Sequence, residues 1–469
     1  MSARRNRLPM CAAVLLSVSG SLTSLTVSVA PAGAAARASA KLPACPLAAL
    51  RAAKGPVNIN VWESMVRANG QTLATLTDAF NSSQSKVHVT LVNQPSYDDT
   101  WQKYQAGLSN GQLPAVAQLE DQRTQEVMDT GSILPAQSCM NATHYATSDF
   151  LAQPLNYWKV NGVQEGMPFA VSNPILYYNK LAFQKAGLNP NVPPATLPQF
   201  IADAKALKAS GSGVGLKVDA WHLETWLATA NSLFANHNNG RSSRATAVSF
   251  NSKLGKQIFT DLNQLVKSGY ATTNPATGPN AFDNLLGIGA GKYGMTIDTS
   301  AALGTITQVL NGGSYSNVQL GIGSFPVLSG SIKGGIEPGG SGLFISNKVP
   351  PAQQAAAWQY VAFLDSTSSQ ATWAAGTGYI PIRKSSTQTP TVQQLWQKYP
   401  GYKVAYSQLN NGVHDVATSG SVIGPYVDVR NAILAAEQGM FTQGASPAAA
   451  IAAAARNANA VLLSYNSRL

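Results

Sequence analysis

The alternation of strand-like and helix-like segments limits the possible folds of this chain more than any other feature. Residues 56–62 and 86–92 alternate between apolar and polar side chains, which is typical of half-buried strands. Between them, the apolar residues of 73–80 have helical spacing. A second helical segment at 97–108 and a short apolar segment at 114–119 follow. This β-α-β-α-β order predicts an α/β fold, with a largely parallel sheet and helices on both of its faces.

The rest of the chain continues the same pattern. It predicts strands at 174–178, 294–297 and 342–345, and helices at 197–209, 352–364 and 447–463. Thr196 before the first of these helices, Pro198 in its first turn and Gly211 after its end are usual boundary signals. No period of 20–50 residues is present, so a repeat architecture is excluded. A chain of 469 residues is long enough for two or three domains.

Composition excludes two classes of protein. Hydrophobic residues make up 45% of the chain and charged residues 11%, the opposite of the balance that keeps a chain disordered. The formal charge is +11, from 32 Lys and Arg against 21 Asp and Glu. These basic residues are scattered singly rather than clustered in a stripe, so we expect no nucleic-acid partner.

The N-terminus has the order of a secretory signal. Arg4, Arg5 and Arg7 precede a mildly apolar stretch at 10–30, and small residues follow at 32–36. Several hydroxyl side chains interrupt the apolar stretch, which disfavours the alternative of a membrane-spanning anchor. We therefore predict a signal peptide over residues 1–36 and a protein exported to the outer face of the cell envelope. Removal of the three Arg leaves a mature charge of +8.

The cysteines agree with export. Cys11 lies inside the predicted signal, so Cys45 and Cys139 are the only pair in the mature chain. Two cysteines in an oxidising compartment predict a disulfide. An alternative remains open, because Leu42–Cys45 resembles a lipobox whose cysteine would be lipidated and would tether the protein to a membrane. The distance of this motif from the apolar stretch favours the disulfide.

The usual signals of catalysis are absent. The five His show no metal-ligand spacing, and no G-x-S-x-G motif occurs. We therefore predict neither an enzyme nor a metal or cofactor site. One alternative stays open, a secreted carbohydrate-active hydrolase, because its two carboxylates need to meet only in space.

Aromatic and acidic residues follow the predicted strands instead. Trp62 ends the first strand, Tyr97 opens the helix after the second, and Glu120 and Asp121 follow the third. Ligands of open α/β sheets bind outside the carboxyl ends of the strands. An aromatic face beside carboxylates suits a sugar or polyol, which presents apolar C–H patches ringed by hydroxyls.

Five sequence blocks resemble a known family. They are Val61–Met65, Leu176–Lys180, Ala186–Leu188, Ala206–Gly211 and Thr377–Ile382. Their order and spacing resemble those of the extracellular solute-binding proteins of ABC importers that take carbohydrates, and most nearly the sn-glycerol-3-phosphate-binding branch. The resemblance covers roughly residues 57–469.

This resemblance implies a two-lobed periplasmic-binding-protein-like fold of type II, with the ligand in a cleft between the lobes. It places lobe 1 at 46–175 plus 298–345, and lobe 2, richer in helix, at 176–297 plus 346–469. It also implies a monomer that binds a sugar, polyol or glycerophosphate-like compound by hinge closure and delivers it to an ABC permease in the membrane.

The resemblance further implies a set of ligand-binding residues. A stacking tryptophan matches Trp221, with Trp226 as the alternative register, and the acidic residue matches Asp121, with Glu120 beside it. The remaining matches are Tyr97, Ser172, Gly339, Gly340 and Tyr379.

One departure from the branch concerns the polar end of the ligand. The branch carries an arginine where this chain has Val422, within Gly420–Gly424. A guanidinium suits bidentate phosphate contact, and valine cannot replace it. Arg430 lies eight residues further on, at a position that the resemblance makes structural. We therefore expect binding that does not depend on a phosphate.

Overall fold

A computed structural model describes residues 42–278, 280–311, 315, 317–330 and 334–469. The predicted signal peptide and Cys11 lie outside the described residues. The strands are β1 Val57–Glu63, β2 Val87–Asn93, β3 Val116–Glu120, β4 Ile133–Leu134, β5 Lys159–Val160, β6 Val163–Gln164, β7 Met167–Ser172, β8 Pro174–Asn179, β9 Val214–Val218, β10 Ala271–Pro275, β11 Met295–Thr299, β12 Leu320–Gly323 and β13 Gly339–Ser346.

The helices are α1 Leu47–Ala52, α2 Arg67–Ser83, α3 Tyr97–Asn110, α4 Thr124–Asp129, α5 Ala136–Thr143, α6 Ala152–Tyr157, α7 Lys180–Lys185, α8 Leu197–Ala209, α9 Ala220–Thr229, α10 Asn236–Asn239, α11 Lys253–Lys267, α12 Asp283–Gly289, α13 Leu303–Asn311, α14 Pro351–Leu364, α15 Thr367–Gly376, α16 Pro390–Lys398, α17 Gly401–Asn410, α18 Tyr426–Thr442 and α19 Pro447–Asn466. Within the described residues, no helix is both long enough and apolar enough to cross a membrane.

Two sheets, each with its own apolar core, give the chain two lobes. The first sheet has the order β2-β1-β3-β13-β4, and β7 also pairs with β13. The second has the order β10-β9-β11-β8-β12. The first core contains Trp158 and Trp358, and the second contains Trp226 and Phe250. The two-lobed α/β architecture that the resemblance implied is confirmed.

The sheets are mixed rather than largely parallel, which corrects one expectation. β1 pairs in parallel with β2 and β3, as the β-α-β-α-β order predicted. However, β13 is antiparallel to β3, β4 and β7, because it returns to the first sheet from the other lobe instead of following a crossover helix. In the second sheet, β8 is likewise antiparallel to β11 and β12.

The predicted division into lobes differs from the sheets and cores, most clearly at β12 and α14. The segment 298–345, which we assigned to lobe 1, contains β12, and β12 pairs with β8 in the second sheet. The helix α14, which we assigned to lobe 2, buries Trp358 and Tyr360 in the first core. Both differences arise because the chain crosses between the lobes more often than the prediction allowed.

Side chains at one of these crossings tie the two lobes together. Asn173 separates β7 of the first sheet from β8 of the second. Its side chain donates to the carbonyl oxygen of Ala405 at 2.9 Å, and Gln408 donates to the Asn173 side-chain oxygen at 2.8 Å. The crossing backbone is therefore anchored to the helix α17 at a buried position.

The predicted helix at 197–209 is present with its boundary signals. Thr196 accepts a hydrogen bond from the backbone N–H of Gln199, and the Gln199 side chain accepts one from the backbone N–H of Thr196. This reciprocal capping box satisfies two donors that the first turn of a helix leaves unpaired. Pro198 occupies the first turn, and Gly211 follows the helix with a φ of +96°.

A disulfide joins Cys45 and Cys139, as the sequence predicted. It links the segment before α1 to the helix α5, whose cysteine is fully buried. The sulfur of Cys45 is thus occupied by a bond to another cysteine. The lipobox alternative requires the same sulfur for a thioether, so the structure favours the disulfide.

Candidate functional site

A cavity of about 560 Å³ lies between the two lobes. Residues at or just after the ends of β1, β3 and β7 and at the start of β13 line it from the first lobe, and residues at or just after the ends of β9 and β11 line it from the second. Most of these positions are carboxyl ends of strands, where the sequence placed the ligand. Nearly all of the predicted site residues line it: Tyr97, Glu120, Asp121, Ser172, Trp221, Gly339, Gly340 and Tyr379.

Trp62 does not line the cavity, which corrects that part of the prediction. The side chain is 8% exposed and packs in the first core, with the Lys103 ammonium 4.6 Å from the centre of its ring. Successive side chains of a strand point to opposite faces of the sheet, so the end of a strand does not decide which residue reaches the ligand edge. The neighbouring Ser64 and Met65 line the cavity instead.

The choice between the two tryptophans follows from their places on α9. Trp221 lies at the start of this helix and lines the cavity. Trp226 lies more than one turn later, is 1% exposed in the second core and donates its ring N–H to the carbonyl oxygen of Pro326. Trp221 is therefore the tryptophan that can contact a ligand.

The two glycines at the start of β13 allow close packing beside the cavity. A side chain on Gly339 would come within 2.6 Å of the Trp221 ring, so the ring lies directly against this backbone. Gly340 has a φ of +117°, and a Cβ there would overlap the carbonyl oxygen of Ala170. Glycine is thus required at both positions for packing, whether or not their N–H groups contact ligand.

Two tyrosines close the first-lobe side of the cavity. The hydroxyls of Tyr97 and Tyr379 lie 3.4 Å apart, and Tyr97 donates to the Ser341 hydroxyl at 3.3 Å. Gln118 also donates to this serine, at 2.8 Å. Trp373 stacks on Tyr379 with 5.3 Å between ring centres. Both phenols are therefore fixed by neighbours before a ligand arrives.

The adjacent carboxyls Glu120 and Asp121 have unequal surroundings. Burial, and the nearby charge of Asp121, raise the pKa of Glu120 to about 8. Burial also raises the pKa of Asp121, and Arg430 and a hydrogen bond from the Tyr157 hydroxyl at 2.9 Å offset part of this rise. With a pKa of about 8, Glu120 is mainly protonated at neutral pH and can donate a hydrogen bond, while Asp121 accepts one from Tyr157.

Arg430 of α18 lines the cavity and is paired with a buried carboxylate. Its Nε and Nη2 donate to the two oxygens of Glu224 at 2.8 and 2.6 Å, and Nη2 lies 3.9 Å from Asp121. The Glu224 side chain is fully buried. Sequence reasoning gave Arg430 only a structural place and missed Glu224, because no local pattern marks two helix residues that are 206 positions apart.

Lys217 and Asp298 form a second ion pair on the second-lobe wall. Their charged atoms lie 2.8 Å apart, and both side chains are buried. Each stands near the carboxyl end of its strand, β9 or β11. The rule that found Glu120 and Asp121 would have found this pair too, if it had been applied to the later strands.

Three polar atoms of the cavity-lining residues have no hydrogen-bond partner among the described residues. They are the hydroxyl of Ser64, the side-chain oxygen of Asn69 and the indole nitrogen of Trp221, and all three are buried. A buried polar group without a partner costs about 1–3 kcal/mol, which a ligand hydroxyl can recover. Hydrogen-bond donors, carboxylates and aromatic planes therefore converge on one cavity. The described residues contain no group of three His, Cys, Asp or Glu placed to hold a metal ion.

Comparison with known proteins agrees with this architecture. Residues 75–403, more than half of the chain, match the family model described as bacterial extracellular solute-binding protein. Among curated relatives, the sn-glycerol-3-phosphate-binding periplasmic protein UgpB of Brucella abortus is 28% identical over 358 residues, covering 74% of this chain and 80% of the relative. The UgpB of Yersinia pestis is 25% identical over 406 residues, covering 84% and 89%.

Solved structures show the same fold. UgpB from Mycobacterium tuberculosis, in complex with glycerophosphocholine, superposes with a TM-score of 0.73 at 20% identity, covering 88% of this chain and all of that one. The cyclic alpha-maltosyl-1,6-maltose binding protein from Arthrobacter globiformis gives a TM-score of 0.71 at 20% identity, covering 87% and 99%. The chain belongs to the bacterial extracellular solute-binding family, whose members are the binding proteins of transporters.

Proposed function

We propose that this receptor binds a sugar or polyol in the interlobe cavity and delivers it to an ABC permease. The observation that carries the proposal is the convergence of Trp221, Tyr97 and Tyr379 with the Glu120–Asp121 pair in one cavity. Aromatic planes cover the C–H faces of a sugar, and carboxyls bind its hydroxyls. Family membership gives no support to the hydrolase alternative.

Hinge closure is the second part of the proposal. The cavity has walls from both lobes, so a ligand that contacts both favours the closed state. Asn173 and its neighbours are the crossing at which rotation would occur. The receptor acts as a monomer outside the cell. Its disulfide supports this location, since such bonds persist in oxidising compartments.

A glycerophosphodiester is the second candidate ligand. The names of the relatives favour it, because they describe sn-glycerol-3-phosphate binding and, for one structure, a complex with glycerophosphocholine. The absence of an arginine at Val422 argues against it, since that side chain is buried, does not line the cavity and carries no charge.

Titration calorimetry against neutral mono- and disaccharides, polyols, glycerol 3-phosphate and glycerophosphocholine tests the proposal. We expect at least one neutral compound to bind, and small-angle scattering to show a smaller radius of gyration with that compound. Absence of binding by every neutral compound would contradict the ligand class. Binding without compaction would contradict hinge closure.

Asp121→Ala should weaken binding of that ligand about ten- to a hundredfold. A charge-assisted hydrogen bond is worth roughly 1.5–3 kcal/mol, and the variant removes the acceptor. Trp62→Phe is the control, because Trp62 lies in the same lobe but away from the cavity. Calorimetry of both variants, with melting curves to verify folding, should show loss of affinity only in the first. Unchanged affinity in Asp121→Ala would move the binding site elsewhere.

Glu120→Gln should remove a pH dependence from ligand binding. The Glu120 pKa of about 8 means that this group donates a hydrogen bond below pH 8 and loses its proton above it. Wild-type affinity should therefore fall between pH 7 and pH 9. The amide of the variant cannot lose this proton, so its affinity should stay level over the same range. Parallel profiles for the two proteins would show that Glu120 does not donate to the ligand.

A further inference from the structure

The cavity has three basic residues, and their accessibility to an anionic ligand differs. Among the described lining residues these are Arg67, Lys217 and Arg430. Arg67 has an exposed side chain at the start of α2, and Lys217 is already paired with Asp298 at 2.8 Å. Arg430 lies beside Asp121, and its helix α18 packs against α9, which carries Trp221. The state of this guanidinium therefore decides whether that part of the cavity can hold a phosphate.

Glu224 occupies one of the two bidentate edges of the guanidinium and neutralises its charge. The two parallel hydrogen bonds, at 2.8 and 2.6 Å, are the fork-to-fork geometry in which arginine binds carboxylates and phosphates. Tyr426 covers the guanidinium as well, with 4.9 Å from its ring centre to Cζ. Glu224 is 1% exposed, so separating it from Arg430 would leave a buried carboxyl without its partner.

The surrounding charge also opposes an anion. Asp121 lies 3.9 Å from Arg430, and the buried Glu337 interacts with both Glu224 and Arg430. Arg430 thus faces several carboxyls in a buried site, where charges are poorly screened. A phosphate would place its negative charge beside these carboxyls, whereas an uncharged hydroxyl would not. Such a hydroxyl can still accept a hydrogen bond from Nη1, which does not bond to Glu224.

We propose that Glu224 is a specificity-determining residue, which occupies Arg430 and so makes the receptor select uncharged hydroxyl ligands over phosphorylated ones. The inference rests on the proposed function, because it assumes that the ligand lies in this cavity. We expected binding to be independent of phosphate because Val422 replaces an arginine. The pairing of Glu224 with Arg430 is a separate cause of the same behaviour. A purely structural Glu224–Arg430 pair would stabilise the fold without changing which ligands bind.

Glu224→Gln tests this by a gain of function. The amide keeps one acceptor for Arg430 but removes the charge and one of the two charge-assisted bonds. We expect calorimetry at low salt to show at least tenfold tighter binding of inorganic phosphate and of glycerol 3-phosphate than in the wild type. The gain should shrink with added salt, since the added anions compete with phosphate for the released guanidinium.

Two further variants separate charge from geometry. Glu224→Asp retains the negative charge and should show no gain, and Glu224→Gln with Arg430→Gln should lose the gain completely. Equal phosphate affinity in wild type and Glu224→Gln, with both folded by their melting curves, would overturn the inference. So would micromolar binding of either phosphate compound by the wild type, a measurement that stands even where the variant fails to fold.

The outcome is separable from that of the proposed function. A phosphate gain in Glu224→Gln, without sugar or polyol binding by the wild type, would support the role of Glu224 and reject the ligand class. Sugar binding by the wild type without a phosphate gain in Glu224→Gln would support the ligand class and reject the role of Glu224.

Discussion

Replacing Cys45 and Cys139 together by serine should lower the free energy of unfolding by about 4 kcal/mol. The disulfide closes a loop over a sequence separation of 94, and chain-entropy models give a loop of that size about 4–5 kcal/mol. It joins the segment before α1 to the buried end of α5, so its loss frees much of the first lobe in the unfolded state. Denaturant unfolding of variant and wild type measures the difference.

Reductant provides the control for this prediction. Dithiothreitol should move the unfolding midpoint of the wild type to that of the variant, and should leave the variant unchanged. The ligand cavity is lined by neither cysteine, so affinity for a bound sugar or polyol should stay within a factor of about two under native conditions. Equal stability of the variant and the oxidised wild type would show that the bond does not restrain the unfolded chain.

The fold was predictable wherever a local pattern decided it. The strands at 56–62 and 86–92 and the helix after Thr196 depend on side-chain periodicity and capping, which a sequence displays directly. The antiparallel β13 could not be predicted in this way. Its direction depends on the path of the chain through the other lobe, and nothing within Gly339–Ser346 records that path.

The site residues likewise divide into those that a sequence pattern marks and those that only the fold brings together. Glu120 and Asp121 stand at the end of β3, so the strand-end rule located them, and the resemblance located Trp221 and Tyr379. Glu224 has no such signal. It lies on a helix in the second lobe, and only the fold brings it against Arg430. Ion pairs between distant helices are a product of tertiary packing, so no sequence pattern indicates that the Arg430 guanidinium is paired with a carboxylate.

Arg430→Met should lower the free energy of unfolding at neutral pH by about 3–5 kcal/mol, since removing one partner leaves buried carboxyls uncompensated. Burial already raises the pKa of both Glu224 and Asp121, and Arg430 lowers it in each. Without the guanidinium these pKa values rise further. The folded variant then binds more protons than the unfolded chain above the ordinary Glu pKa of about 4.3. Its stability must therefore fall as the pH rises through this window and recover as the pH is lowered.

The pH profile distinguishes this electrostatic cost from a loss of packing. The stability deficit of Arg430→Met should be smaller at pH 5 than at pH 8, whereas a deficit caused by altered packing would stay constant. Arg468→Met, at an exposed position near the C-terminus, is the matched control and should change stability by less than about 0.5 kcal/mol at both values. Glu224→Gln combined with Arg430→Met should restore part of the loss at pH 8, because it removes one uncompensated carboxyl. A deficit that is independent of pH in the single variant would mean that Arg430 stabilises the second lobe through its contact with Tyr426 rather than through its charge.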